Sequence, residues 1–206
     1  MKRILCSRYY LMQLIFLVIT YFRFSFFLAQ LSLQIQNNFK DNQTTVEYLL
    51  FVSNFFFIPS MIISPVSGFI VDILKNRIKQ VDDSNLNYKS IISCFGIPIL
   101  LCGLANELMS VMILFCNEFA VYVAYTSCAF TRCFMFSLNA GYILSAFPEK
   151  YFGKIFGITI TVCGLIGLFQ YALLYNELSN LNTVNYVLIG LSSLTFIHPI
   201  ILMCKI

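Results

Sequence analysis

The sequence predicts an all-α integral membrane protein, on three observations. Of its 206 residues 59% are hydrophobic and only 11% charged, with a mean hydropathy of +0.82, too little polar surface to cover a soluble globule of this size. The apolar residues gather into six segments, each near the ~20 residues that cross a hydrocarbon core. Lysine and arginine concentrate in alternate loops, as they do around membrane spans.

The six predicted spans are residues 9–31, 47–72, 90–113, 119–146, 154–176 and 184–204, and together they form one bundle over 1–206. The first follows Lys2, Arg3 and Arg8 in the manner of a signal peptide. Its apolar run is too long for one, and no small-residue cleavage site follows, so it is read as a retained helix. Asn106, Glu107, Asn117 and Glu118 crowd the junction of the third and fourth spans. What lies between the spans is too short for a soluble domain.

Orientation follows from the positive charges. With the N-terminus in the cytosol, the inner loops hold Lys2, Arg3, Arg8, Lys75, Arg77, Lys79, Lys89, Lys150, Lys154 and Lys205, and the outer loops hold only Lys40. Arg23 and Arg132 are left within spans. Both termini are therefore expected in the cytosol of a multi-pass protein, with the plasma membrane as its expected location. The sequon Asn42-Gln43-Thr44 falls in the first outer loop, where glycosylation is chemically open to it.

Several functions are disfavoured. The largest basic cluster is Lys75, Arg77 and Lys79, so no nucleic-acid partner is expected. Five of the eight cysteines (Cys94, Cys102, Cys128, Cys133 and Cys163) lie within spans and read as small buried hydrophobes, without CxxC pairs. Neither a P-loop nor an HExxH or GxSxG motif occurs, and no catalytic pair sits at one depth. No enzyme activity, cofactor or metal is expected.

Polar residues within the spans form patterns at 100° per residue. Gln13, Thr20, Arg23, Gln30 and Gln34 share about a third of the first helix; Ser53, Ser60, Ser64 and Ser67 make a stripe on the second. Tyr125, Arg132 and Asn139 recur at intervals of seven on the fourth. Gly153, Gly157, Thr161, Gly164 and Gly167 share a face of the fifth, which reads as a helix-packing surface. The arginine-bearing faces need more than packing, because a charge at the centre of a membrane helix costs about 2.5–3.5 kcal/mol on insertion scales.

Gly68-Phe-Ile-Val-Asp72-Ile-Leu-Lys-Asn-Arg77-Ile-Lys79 resembles the GxxxDxxxxR signature between the second and third helices of either half of major facilitator superfamily transporters. Gly68 is suited to a tight helix contact, and Asp72 and Arg77 to charge pairing or capping. The resemblance implies a cytosolic gating latch. Gln13–Arg23, Thr131-Arg132 through Asn139-Ala140, Ala146–Gly157, Leu168–Tyr171 and Leu194–Pro199 look like solute carrier family 43, over nearly the whole chain. That family carries large neutral amino acids, and in one branch purine nucleobases, by facilitated diffusion. The sequence departs from its usual pattern at Ser32, Leu138, Tyr151 and Ala172, where the family has asparagine, glycine, histidine and proline.

The resemblance maps to the C-terminal six helices of a twelve-helix carrier. It implies a central cavity lined by the first, second, fourth and fifth spans, with the third and sixth peripheral. Arg23, Gln30, Ser53, Tyr125, Arg132 and Asn139 then form the expected substrate pathway. Arg132 is suited either to a substrate carboxylate or to backbone carbonyls and a carboxylate from another half. His198 reads as a helix-packing residue. The expected function is facilitative transport by alternating access, amino acid before nucleobase; a non-transporting membrane protein is the alternative. Beyond the lipid bilayer and a small solute, the expected partner is a missing N-terminal half, as expected of an incomplete chain, or a second copy.

The topology is testable by impermeant cysteine labelling of single-cysteine variants in intact cells. Positions beside Asn42 and Asn180 should react from outside and those beside Lys79 and Lys150 should not; the reverse pattern would overturn the orientation.

Overall fold

The computed structural model describes residues 2–40, 42–55, 58, 60–81, 88–176 and 181–204. Among them the chain is helical throughout. A short α1 (Lys2–Leu5) leads into α2 (Arg8–Asn38), which is followed by α3 (Gln43–Ser53) and α4 (Ser60–Val81). Then come α5 (Tyr88–Ser93), α6 (Gly96–Met112), α7 (Glu118–Ala146), α8 (Phe152–Gly167) and α9 (Phe169–Asn176). The last are α10 (Leu181–Ser193) and α11 (Ile197–Met203).

Among the described residues five stretches are helical, long and apolar enough to cross a membrane, rather than the six expected: Arg8–Asn38, Ile91–Met112, Glu118–Ala146, Glu149–Tyr175 and Asn182–Met203. The predicted second span is the exception, because it is divided between α3 and α4. Ser53 ends α3 by turning its hydroxyl onto the Leu50 carbonyl at 2.7 Å. After it the backbone makes tighter i→i−3 bonds, from Asn54 to Phe51, Phe55 to Val52 and Ile58 to Phe55. Pro59 then follows in the sequence, and a proline disfavours helical geometry in the residue before it.

The two pieces nevertheless run as one element against α7. The Tyr125 hydroxyl donates to the Leu49 carbonyl of α3 at 3.0 Å, and the Cys133 thiol donates to the Ser60 carbonyl of α4 at 3.0 Å. Further along, Gly68 and Val71 face Leu138 and Gly141 across a small cavity. From Tyr125 to Gly141 is 16 residues, so α3 and α4 follow α7 in parallel for about 24 Å.

Interhelical bonds set the alternation of the other helices. Tyr10 pairs with Thr159 at 3.1 Å, and Tyr142 donates to the Tyr9 carbonyl at 3.3 Å. His198 meets Gln13 at 3.0 Å, and Ser93 donates to the Leu202 carbonyl at 3.1 Å. These contacts place the start of α2, the end of α7, the start of α8 and the end of α11 at one end of the bundle. Asn38 donates to the Ile113 carbonyl at 3.3 Å and so ties the ends of α2 and α6 at the other.

α6 and α7 make the most extensive helix pair. Of the most apolar window, 61% is buried in each of the third and fourth spans, against 22% in the fifth. The third span is thus well buried within this bundle, and the fifth is the least buried of the five. The glycine face explains part of this. A Cβ added at Gly153, Gly157 or Gly164 would meet nothing within 4 Å, and only at Gly167 does a neighbour, the Tyr21 ring at 3.1 Å, come close. The expected packing surface is left open within this chain, except at its last glycine.

α2 is fastened through Arg23, the middle residue of its 31. Arg23 is 1% exposed; Nε donates to Ser110 Oγ on α6 at 2.7 Å and Nη1 to Asn185 Oδ1 on α10 at 2.9 Å. Gln30 Nε2 donates to the same Asn185 oxygen at 2.8 Å, which occupies both of its lone pairs. The Phe26 ring lies 5.9 Å from the guanidinium carbon. Hydrogen bonds to a charged group contribute about 1.5–3 kcal/mol each. Two of them match the insertion cost of the charge.

This clamp predicts an asymmetry. Asn185→Leu should destabilise the bundle by about 2–3 kcal/mol, because it strands a buried donor on a charged group. Arg23→Leu combined with Asn185→Leu should recover much of that loss. Thermal unfolding in mild detergent measures both, and a double variant no more stable than the single one would refute the clamp.

Candidate functional site

The predicted pathway residues divide into an interior group and an open group. Arg23 and Gln30 belong to the first: they are buried against α6 and α10 by the bonds described above. The rest of the α2 stripe is buried with them. Gln34 Nε2 donates to Asn38 Oδ1 at 3.2 Å, and Gln13 is engaged by His198. Within this chain, Ser110 Oγ and Asn185 Oδ1 take the Nε and Nη1 donors of Arg23.

The three residues spaced by seven on α7 do not share one environment. Tyr125 is buried and bonded to α3. Asn139 is fully buried, with neither Oδ1 nor Nδ2 hydrogen-bonded among the described residues. Arg132, between them, is exposed. It is the middle residue of the 29 in α7, as far from lipid headgroups as that helix allows. The flanking bonds of Tyr125 to Leu49 and of Cys133 to Ser60 put Arg132 level with the interruption between α3 and α4. Broken helices at mid-depth are a recurring way to build solute sites in membrane carriers, because the break frees backbone polar groups where a cavity can use them.

The serine stripe does not survive the same interruption. Ser53 ends α3, Ser60 begins α4, and Ser64 is exposed, so they do not form one continuous face. The Ser67 side chain lies outside the described ones.

At one end of α4, Gly68, Asp72, Phe95, Ser137, Leu138 and Gly141 border a cavity of about 100 Å³. The motif lies on α4 itself rather than in a loop, since the apolar residues Phe69, Ile70, Val71 and Ile73 carry the helix on toward Val81. Gly68 serves no tight contact: a Cβ there would meet open space. Asp72 is exposed beside this cavity. Arg77 is on the same helix, and its side chain lies outside the described ones.

At the other end, an open pocket of about 440 Å³ sits between the end of α2 and α3. Gln36, Lys40, Gln43 and Glu47 give it a polar rim over Phe39 and Leu50. Asn42 stands just before α3 as its N-cap, exposed, with Oδ1 accepting from the Thr45 amide at 3.3 Å and the Thr44 hydroxyl at 2.6 Å. Sequence reasoning missed Ser110, Asn185 and this rim. Asn185 had a readable signal, as a lone amide facing inward among Val184, Leu188 and Ile189 of the sixth span.

Fold and site define the class: an all-α, multi-pass membrane protein with an arginine at the midpoint of each of two long helices, one buried and one exposed. No protein-family model matches the chain, and no solved structure does. Over 73 residues it is 37% identical to equilibrative nucleobase transporter 1 from Bos taurus. That stretch is 34% of this chain and 15% of the relative, so the chain spans only a small part of its length.

Asn139 yields a separate prediction. Asn139→Leu replaces two buried unsatisfied groups by apolar surface of similar shape, so stability should hold or rise by about 1–2 kcal/mol. The melting temperature in detergent reads this; a marked fall would mean that Asn139 is satisfied in the folded protein.

Proposed function

We propose that this chain forms one half of a facilitative carrier of small organic solutes, with a nucleobase as the first solute and a large neutral amino acid as the second. The observation that carries the proposal is the exposed Arg132 at the midpoint of α7, level with the interruption of the neighbouring span. A guanidinium held there in lipid is costly, so its exposed face is best explained by a watered pathway. The similarity to a nucleobase transporter supports transport as the activity and moves nucleobases ahead of amino acids.

The chemistry suits that order. A guanidinium offers two coplanar donors to the ring nitrogen and carbonyl oxygen of a purine edge, and it also stacks on planar rings. The amide of Asn139 offers one donor and one acceptor, the complement of an adenine edge. Asn139 is covered in the present arrangement, so it would meet solute only after α4 and α7 part. An amino acid would instead use Arg132 through its carboxylate.

The open glycine face of α8 and the exposed Arg132 face supply surfaces for a second bundle. Alternating access requires two bundles that rock about a site between them. The bundle's companion is a separately supplied half or a second copy of this chain. Its orientation, with both termini cytosolic, and a latch role for Gly68, Asp72 and Arg77 belong to the same reading.

Uptake of labelled adenine and labelled leucine, in cells or liposomes containing the complete carrier, tests this. Arg132→Ala should cut uptake at least about tenfold at unchanged surface expression, in line with the loss of a charge-assisted bond. Arg132→Lys should restore only part of it, because lysine lacks the planar fork. Uptake by the alanine variant equal to that of the parent would remove Arg132 from the pathway, and saturable uptake by a monomer of residues 1–206 would refute the half-carrier.

A further inference from the structure

At the end of the bundle away from Arg8, the transport reading makes no use of the open pocket between α2 and α3. Its volume of about 440 Å³ is in the range that holds small-molecule ligands. Residues 39–42 join the two helices. α3 then runs back alongside α2, because it follows α7, whose far end meets the start of α2.

That reversal sets the corners of the pocket. Going up α2, the wall carries Gln36 and then Lys40; going down α3, it carries Gln43 and then Glu47. The Lys40 cation and the Glu47 carboxylate therefore take opposite corners, and the two carboxamides take the others. All four side chains are exposed, and no ion pair joins Lys40 to Glu47 among the described residues. Asp41, next to Lys40, lies outside the described residues. Between the corners the lining is apolar, with Val46 9% exposed and Phe39 and Leu50 half-buried.

These corners select a ligand. A simple ion or a fatty acid matches one charge and opposes the other, whereas a zwitterion matches both. Packed helices lie 8–10 Å apart and one turn rises 5.4 Å, so the charged corners are about 10 Å apart at the backbone. Two residues of extended chain span about 7 Å, enough to reach the side chains at both corners. A free amino acid carries both charges on one carbon and suits a cation and carboxylate held side by side. A peptide group midway would meet the carboxamides, since each side offers a donor and an acceptor. Gln36 spends an amide proton on Ser32 Oγ at 3.4 Å and keeps Oε1 as an acceptor. We propose that this pocket binds a dipeptide of apolar residues, with its carboxylate on Lys40, its ammonium on Glu47 and its side chains over Phe39, Val46 and Leu50. Nothing in this site calls on Arg132 or on transport.

The experiment titrates the full chain in lipid nanodiscs with leucyl-leucine and follows the ligand's methyl signals by saturation-transfer NMR, which suits weak, open sites. The signals should saturate above those of empty nanodiscs. N-acetyl-leucyl-leucine lacks the cation and leucyl-leucinamide lacks the anion; each should bind about fivefold more weakly, as for the loss of one exposed ion pair. Lys40→Gln should weaken leucyl-leucine by a similar factor yet leave leucyl-leucinamide unchanged. Glu47→Gln should do the converse, leaving N-acetyl-leucyl-leucine unchanged. Both side chains are exposed, so neither substitution should shift the melting temperature. Free leucine should bind more weakly than the dipeptide. Equal affinity for the three dipeptide ligands, tighter binding of free leucine or of phosphocholine, or no saturation above empty nanodiscs would each overturn the proposal.

Discussion

The bundle depends on the neutral dressing of Arg23. A guanidinium at the midpoint of a membrane helix can be tolerated only where its protons find acceptors, since lipid supplies none. Ser110 brings α6 and Asn185 brings α10 to the same cation, and Gln30 shares the Asn185 oxygen from one face of α2. The charge therefore fixes the register of three helices that meet nowhere else through so many polar atoms. Replacing such a network by apolar side chains can leave stability intact, so its value lies in specifying one arrangement among several that greasy helices would accept. α6 and the last span are joined a second time where Glu107 accepts from the Ser193 hydroxyl at 3.0 Å.

Arg132 is the same residue type at the same relative position in its helix, and it is treated in the opposite way. Its neighbours Tyr125 and Cys133 spend their donors on the backbone of α3 and α4, on either side of an interrupted helix. Arg132 itself is left on the surface. Seven residues on, Asn139 is sealed in with its amide unsatisfied among the described residues. Two arginines at the midpoints of their helices thus meet different surroundings, one buried among α2, α6 and α10 and the other on the surface of α7.

Much of this was legible in the sequence, for physical reasons. Bilayer thickness imposes helix length, so the third, fourth and sixth spans were readable to within two residues at each end, while the first runs seven residues beyond its expected end. What escaped was set by partners distant in the chain. The burial of Arg23 depends on Ser110 and Asn185, 87 and 162 residues away. A polar stripe looks the same whether it meets water or another polar stripe, so the bonds that Arg23 and Gln30 make within the bundle could not be read from α2 alone. The interruption at Asn54 had a local cue in Pro59, yet hydropathy summed over 47–72 smoothed it away. The glycines of α8 read as a packing face because small residues usually are one; among the described residues a Cβ at three of them would meet nothing within 4 Å.

The divided second span also bears on how the protein is made. An 11-residue α3 is too short to partition into lipid as a spanning unit, and α4 carries Asp72, Lys75, Arg77 and Lys79 within its 22 residues. Neither offers the translocon a strong cue to release it sideways. The backbone acceptors that α3 and α4 present, at Leu49 and Ser60, are met by Tyr125 and Cys133, which leave the ribosome some 70 residues later. The second segment can therefore complete its backbone hydrogen bonds to α7 only after the fourth has been synthesised.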